Sequence, residues 1–281
     1  MEPLTVAGIA GVALGSKDVL NKLLGPTAEY LGGEISGMVK KCNINLNSIF
    51  VKALHKKKSD SGHVSPRVLS DIIDQGKFAD TNIVQDYLAG ILAKASDDHG
   101  SDDAKIYTAM LDKMSTTQIK LHFLIYSAIA TTKAFSPLDI NFEESRRLAS
   151  IFLPKDDVAN ALGSSGEPFD QKFMDAFYGL IASGLIGQNY AFGSQAHISE
   201  RYPHITHSGV VAEPTPIGAQ LFLWAMAASS RNPRRIFSIT QDEISKVGIS
   251  SSSCMPAIEY ELTDKGNGKL EAKIASALSN L

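Results

Sequence analysis

Apolar residues recur at helical spacing along most of this chain. From Lys17 onward Val19, Leu20, Leu23 and Leu24 share a face, Pro26 interrupts, and Ala28, Leu31, Ile35, Met38 and Val39 resume the spacing. Proline there suits the first turn of a restarted helix, where its missing N–H matters least. Gly32, Gly33 and Gly37 in the same stretch weaken an isolated helix, so the reading is close packing against another backbone. A further helix is predicted over 44–58, with Leu46, Ile49, Phe50, Ala53 and Leu54 inward, before Ser59-Asp60-Ser61-Gly62 breaks it. Ser65-Pro66 opens the next, through Val68, Leu69, Ile72 and Ile73, and Gly76 to Asp80 is the turn before a helix over 83–95. Ile106, Met110, Leu111 and Met114 mark another. Ser115-Thr116-Thr117-Gln118 then has the capping-box form that launches a helix through Leu121, Leu124 and Ile125. Helices alternating with short turns predict an antiparallel bundle.

The second half reads as helix, helix, strand pair, helix. Phe169, Phe173, Phe177, Leu180 and Ile181 define an amphipathic helix that ends at Gly184-Leu185-Ile186. Tyr190 and Phe192, then Val210 and Val211, supply a two-stranded wing, and Thr215-Pro216-Ile217-Gly218 leads into an apolar helix over 219–228. That order is the order of a winged helix. The expected fold is therefore mainly α, an N-terminal antiparallel helical bundle followed by a winged-helix-like C-terminal domain with a small β-hairpin. The expected division is a small-residue segment 1–16, a helical domain 17–114, a winged-helix-like domain 115–230 and an extension 231–281. Glu213 to Gly218 and Glu261 to Gly266 repeat one E-x-T-x-x-G frame, each read as leading into a helix, a coincidence that capped helix starts readily produce.

Three stretches carry a family likeness: Leu23-Leu-Gly-Pro-Thr-Ala-Glu-Tyr-Leu-Gly-Gly-Glu-Ile-Ser-Gly-Met-Val, then Val64-Ser-Pro-Arg-Val-Leu, then Ile83-Val-Gln-Asp-Tyr-Leu-Ala-Gly-Ile-Leu-Ala-Lys-Ala. Together they resemble the Abi-alpha family, bacterial proteins grouped under abortive infection by phage. The resemblance spans 23–126, continues loosely to 226, and does not reach the tail beyond Arg231. It implies a helical phage-resistance protein with a winged segment toward its end, and it carries no catalytic residues across.

Composition adds little attraction of its own. The 281 residues are 44% hydrophobic and carry a formal charge of −3, so binding to nucleic acid or anionic lipid must rest on a local basic patch. Cys42 and Cys254 stand far apart without metal spacing, which suits a reducing, cytoplasmic setting. Leu4 to Leu14 is apolar, but Glu2 precedes it without Lys or Arg, unlike a secretory leader, and it is shorter than the roughly 20 residues of a spanning helix. Gly8, Gly11 and Gly15 fall near one helical face. Two readings stand, a closely packed terminal helix or a segment for self-association or membrane contact, peripheral to the inner membrane.

The candidate chemistry is sparse. Lys52, Lys56, Lys57 and Lys58, near Lys40 and Lys41, form a group for nucleic-acid or lipid phosphate, or else a solvated helix end. Arg231, Arg234 and Arg235 are a smaller group of the same kind. His197, His204 and His207 with Glu200 are the densest metal-ligating residues, but Pro203 and Gly209 break any helical face, so a solvated wing loop is expected. Asp97 to Asp103 lacks the calcium-loop frame and reads as a linker with a helix cap. No phosphate loop or nucleophile elbow occurs in the sequence, so no catalytic residue, cofactor or metal is expected. The exposed side of the presumed recognition helix shows Asp170, Gln171, Lys172, Asp175 and Tyr178, two acids against one base, which opposes docking between phosphate rails. The leading expectation is a non-enzymatic anti-phage factor acting by protein or membrane contact. The alternative is a winged-helix regulator that binds nucleic acid, and a hydrolase assembled only on folding comes third.

Overall fold

The computed structural model describes residues 44–59, 62–98, 101–163, 170–249, 253–264 and 270–274. Gly8, Gly11, Gly15, Lys40, Lys41, Cys42 and Phe169 lie outside them, as do the two helical runs read between Lys17 and Val39. The protein is mainly helical, with a small antiparallel sheet of four strands. Its chain divides into two compact units, one of residues up to Thr116 with Leu223–Arg231, the other of Thr117–Phe222 with Asn232–Leu281.

The first unit is built from α1 (Ile44–Lys56), α2 (Pro66–Gly76), α3 (Asn82–Asp97) and α4 (Lys105–Asp112). α1 buries Leu46, Ile49, Phe50 and Ala53 against α3, the face that the spacing predicts. α2 buries Val68, Leu69, Ile72 and Ile73, with Pro66 in its first turn. α3 is buried on almost every side from Ile83 to Ser96, including Asp86 and Lys94. α4 departs from expectation. It turns Tyr107, Thr108 and Leu111 inward and leaves Ile106 half exposed, because the polar Thr108 finds the Asp71 carboxylate at 2.8 Å.

The second unit, to which α10 contributes its residues up to Phe222, follows the order α5 (Thr116–Thr131), α6 (Glu143–Leu148), β1 (Ile151–Pro154), α7 (Lys155–Leu162), α8 (Gln171–Ala182), β2 (Ile186–Gly193), α9 (Gln195–Arg201), β3 (Gly209–Pro214), α10 (Pro216–Ala225) and α11 (Gln241–Ser245). Short strands β4 (Met255–Pro256), β5 (Tyr260–Asp264) and β6 (Leu270–Ile274) complete it. The four-stranded sheet runs β2-β3-β1-β4, and β5 pairs with β6 apart from it. Phe192 faces Val210 and Ala191 faces Val211 across the β2–β3 pair, the residues read as the wing. β1 was not expected. Ile151-Phe152-Leu153 is a short, wholly buried apolar run, and such a run shows no period to distinguish strand from helix.

β4 ties the stretch beyond residue 231 to the sheet. Met255 pairs with Phe152 and Pro256 with Ile151, Ala257 N donates to Ser150 O at 2.8 Å, and Asp157 accepts from Ser253 N. The tail thus supplies the outer strand of the sheet, while residues 223–231 belong with α1–α4. The repeated E-x-T-x-x-G frame also diverges: Glu213 leads into α10, whereas Glu261 and Thr263 sit in the β5–β6 pair.

Candidate functional site

α8 begins with a cap. Asp170 Oδ1 accepts from Phe173 N at 2.9 Å, satisfying one of the N–H groups that a helix start leaves without a partner. Phe173, Ala176, Phe177 and Leu180 then face inward at i, i+3, i+4 and i+7, so Gln171, Lys172, Asp175 and Tyr178 are exposed. Gln171 Nε2 donates to Asp175 Oδ1 at 2.6 Å. The face that results carries Asp170 and Asp175 against Lys172.

β2 runs beside this helix and adds aromatic surface. Tyr178, Tyr190 and Phe192 stand about one ring apart, with centroid separations of 6.0, 6.1 and 6.2 Å, and Tyr178 meets both strand rings edge-on. Phe177 anchors the group from below, 5.4 Å from Tyr190 and 5.8 Å from Phe192. Tyr178 is 41% exposed. A hydrogen bond with Tyr190 raises its phenol above the ordinary range.

A bulge sets the position of Tyr190. Between Ile186↔Pro214 and Tyr190↔Ala212 the β2 register shifts, so residues 187–189 oppose Glu213. Glu213 is buried and accepts from Asn189 Nδ2 at 2.6 Å, and Arg201 of α9 donates to Asn189 Oδ1 and to Tyr190 O. Gly187 lies flush on the Glu213 side chain. Sequence reasoning missed this brace, since a glutamate in an apolar strand reads as an outward residue. The one available signal was Gly187 within a strand, a common mark of a bulge.

The lysines are held by internal partners. Lys52 Nζ pairs with Asp86 Oδ2 at 2.8 Å, and Lys56 Nζ lies 3.4 Å from Asp86 Oδ1 while donating to Asp86 O and Ala225 O, each at 3.1 Å. Burial pulls the Lys56 ammonium below the ordinary lysine range, although Asp86 works against that shift. Lys58 is exposed and reaches Ser229 Oγ at 3.2 Å, and Lys57 is half-buried. Of these cations Lys56 meets a carbonyl at the end of α10 rather than of its own helix. Lys56 is thus drawn into the packing, while Lys58 stays at the surface.

The remaining groups do not converge. His197 lies 3.9 Å from Glu200, His204 Nε2 is 3.3 Å from Pro256 O, and His207 meets Thr206 Oγ1. Of the stretch expected as a loop, His197 and Glu200 lie on α9, capped by Ser194 and anchored by buried Ile198, whereas His204 and His207 follow it outside any helix. Asp97 accepts from the Lys58 and Ser59 amides, Asp98 pairs with Lys94 and Arg231, Asp102 with Arg67, and Asp103 with Arg231. That acidic run is an internal brace, and α4 starts at Ala104 without a side-chain cap. Arg234 and Arg235 are exposed on a separate 3-10 turn, Pro233–Ser238. Among the described residues no three His, Cys, Asp or Glu side chains gather as a metal site, and no helix is long and apolar enough to cross a membrane.

A buried polar hub fixes the start of α10 within the same unit. Tyr126 OH donates to Leu185 O at 2.6 Å and accepts from Thr215 N at 2.9 Å. Thr215 Oγ1 donates to Gly184 O and accepts from Gly218 N, and His122 Nε2 donates to Gly218 O at 3.1 Å. Burial drives the His122 imidazole down to about 3, leaving it neutral, and pushes the Tyr126 phenol upward. With this geometry in view, comparison finds no matching family model, curated protein or solved structure.

Proposed function

We propose that this chain is a non-enzymatic phage-defence factor of the Abi-alpha kind, working through contacts with a protein partner or with its own copies. The first unit is then an antiparallel helical bundle and the second a winged helix. The sequence α5, β1, α7, α8, β2, β3 with strand order β2-β3-β1 is the arrangement a winged helix has, and it supports that reading. The observation that carries the contact mechanism is the α8–β2 face, where Tyr178, Tyr190 and Phe192 lie beside two acids and a single lysine. Aromatic rings with few charges are what protein interfaces favour, whereas a groove-reading helix needs cations. The Gly8, Gly11 and Gly15 segment would add self-association or a membrane contact, placing the factor in the cytoplasm at the inner membrane.

A phage challenge of bacteria expressing the chain tests this reading. Plaque counts should fall with the wild-type protein and recover with Tyr178→Asp and Tyr190→Ser, provided the unfolding curve is unchanged. Protection that persists in the double variant removes the α8–β2 face from the mechanism, and recovery with Lys57→Glu and Lys58→Glu instead favours a nucleic-acid-binding regulator.

A further inference from the structure

α10 ends in an unusual way. Ala228 N donates to Leu223 O and Ala227 N to Trp224 O, a helix end that ordinarily places glycine at the left-handed position. Ala227 holds that position with φ 51°, the one positive φ of a non-glycine among the described residues. The left-handed conformation strains a residue with a Cβ, and residues so held gather where a structure is built to switch.

The segment that follows lies on α3 of the same unit. Lys56 Nζ donates to Ala225 O, Lys94 Nζ to Ser229 O at 3.1 Å, and Lys58 Nζ to Ser229 Oγ. Arg231 closes it, pairing with Asp98 and Asp103 while its Cζ sits 5.3 Å from the Trp224 ring centre. Trp224 in turn stacks on Tyr107 at 4.9 Å. Gly90 permits the approach, since a Cβ there would fall on the Ala225 carbonyl. Beyond Trp224 its apolar side chains are Met226 and three alanines, all buried but small, and ammonium and guanidinium groups hold its carbonyls and its end.

We propose that residues 225–231 are a charge-latched strap that opens as a unit while α1–α3 stay folded, uncovering the Gly90 side of α3 and releasing Lys56 and Lys94. Opening relaxes Ala227 and returns the buried Lys56 ammonium to water, and the apolar surface it uncovers on the strap is that of one methionine and three alanines. It stands on geometry alone and is independent of the defence reading.

Hydrogen exchange on the full chain, read at the Ala227 and Ala228 amides, tests it. Those amides should exchange faster than α3, and raising NaCl from about 0.05 to about 1 M should speed them roughly fivefold through screening while α1 and α3 hold. Arg231→Gln should speed the strap about tenfold, through the loss of its pairs with Asp98 and Asp103, and Ala227→Gly should slow it about fivefold by removing the left-handed strain. Strap amides that exchange together with α3 at every salt concentration, or an Arg231→Gln variant in which α1–α3 speed up equally, would overturn the proposal. The wild-type salt series alone decides the matter should a variant fail to fold.

Discussion

His122 is neutral in the folded chain because burial disfavours its charged form more than the Gly218 carbonyl favours it, and its imidazole titrates near 3. The unfolded chain binds that proton near pH 6.5, so stability falls as pH drops from about 6.5 toward about 3. The loss from this group is on the order of 3 kcal/mol between pH 6.5 and 4. Urea unfolding at the two pH values should show that difference shrink in His122→Gln. Gly218 is equally constrained, because a Cβ would meet Leu185 O and the Tyr126 hydroxyl, and Gly218→Ala should lower stability by about 1–3 kcal/mol in the same measurement. Thr215 and Gly218 stand out in the sequence as a turn before a helix. Tyr126 and His122 do not, since α5 is buried along its length from Leu121 to Ala130 and its residues show no polar side to mark which ones carry hydrogen bonds.

Long helices were legible even where no wet face remains, as in α3 and α5, and the short strands β1 and β4 were not. α1, α2 and α8 bury the residues their spacing selects, whereas β1 gave no period and β4 is too short to give one. Caps differ from helix to helix. Asp170 caps α8 and Thr240 with Glu243 forms a full capping box on α11, yet α4 begins at Ala104 with neither. Asp170→Ala should cost about 1 kcal/mol by thermal unfolding and leave the α8–β2 rings in place. Phe177→Ala should cost about 3–5 kcal/mol and disperse them, because Phe177 packs against Phe173, Tyr190 and Phe192. A cap loss larger than the core loss would reverse the ranking of the two effects.

At the scale of the whole chain, charge argues against a strong polyanion ligand. The net charge is −3, and Lys52 and Lys56 are paired with Asp86. A salt titration of duplex DNA binding should give a log–log slope of magnitude below about 2, and Lys52→Met should leave it unmoved. A slope near that of a protein with many phosphate contacts would restore the nucleic-acid reading. The lysines illustrate what sequence conveys and what it withholds. Their clustering was plain, but their partners, Asp86, the Ala225 carbonyl and the Ser229 hydroxyl, lie up to 171 residues away in the chain and become neighbours only in the fold.

The far-downstream origin of β4 bears on how the molecule is made. Until Met255 and Pro256 leave the ribosome, Ile151 and Phe152 present bare backbone N–H and C=O groups along the outer margin of an otherwise finished three-stranded sheet. Nascent chains stalled before that point should therefore be the species that stick to one another or recruit chaperones, and a short synthetic Met255–Ile258 peptide added in trans should quiet them.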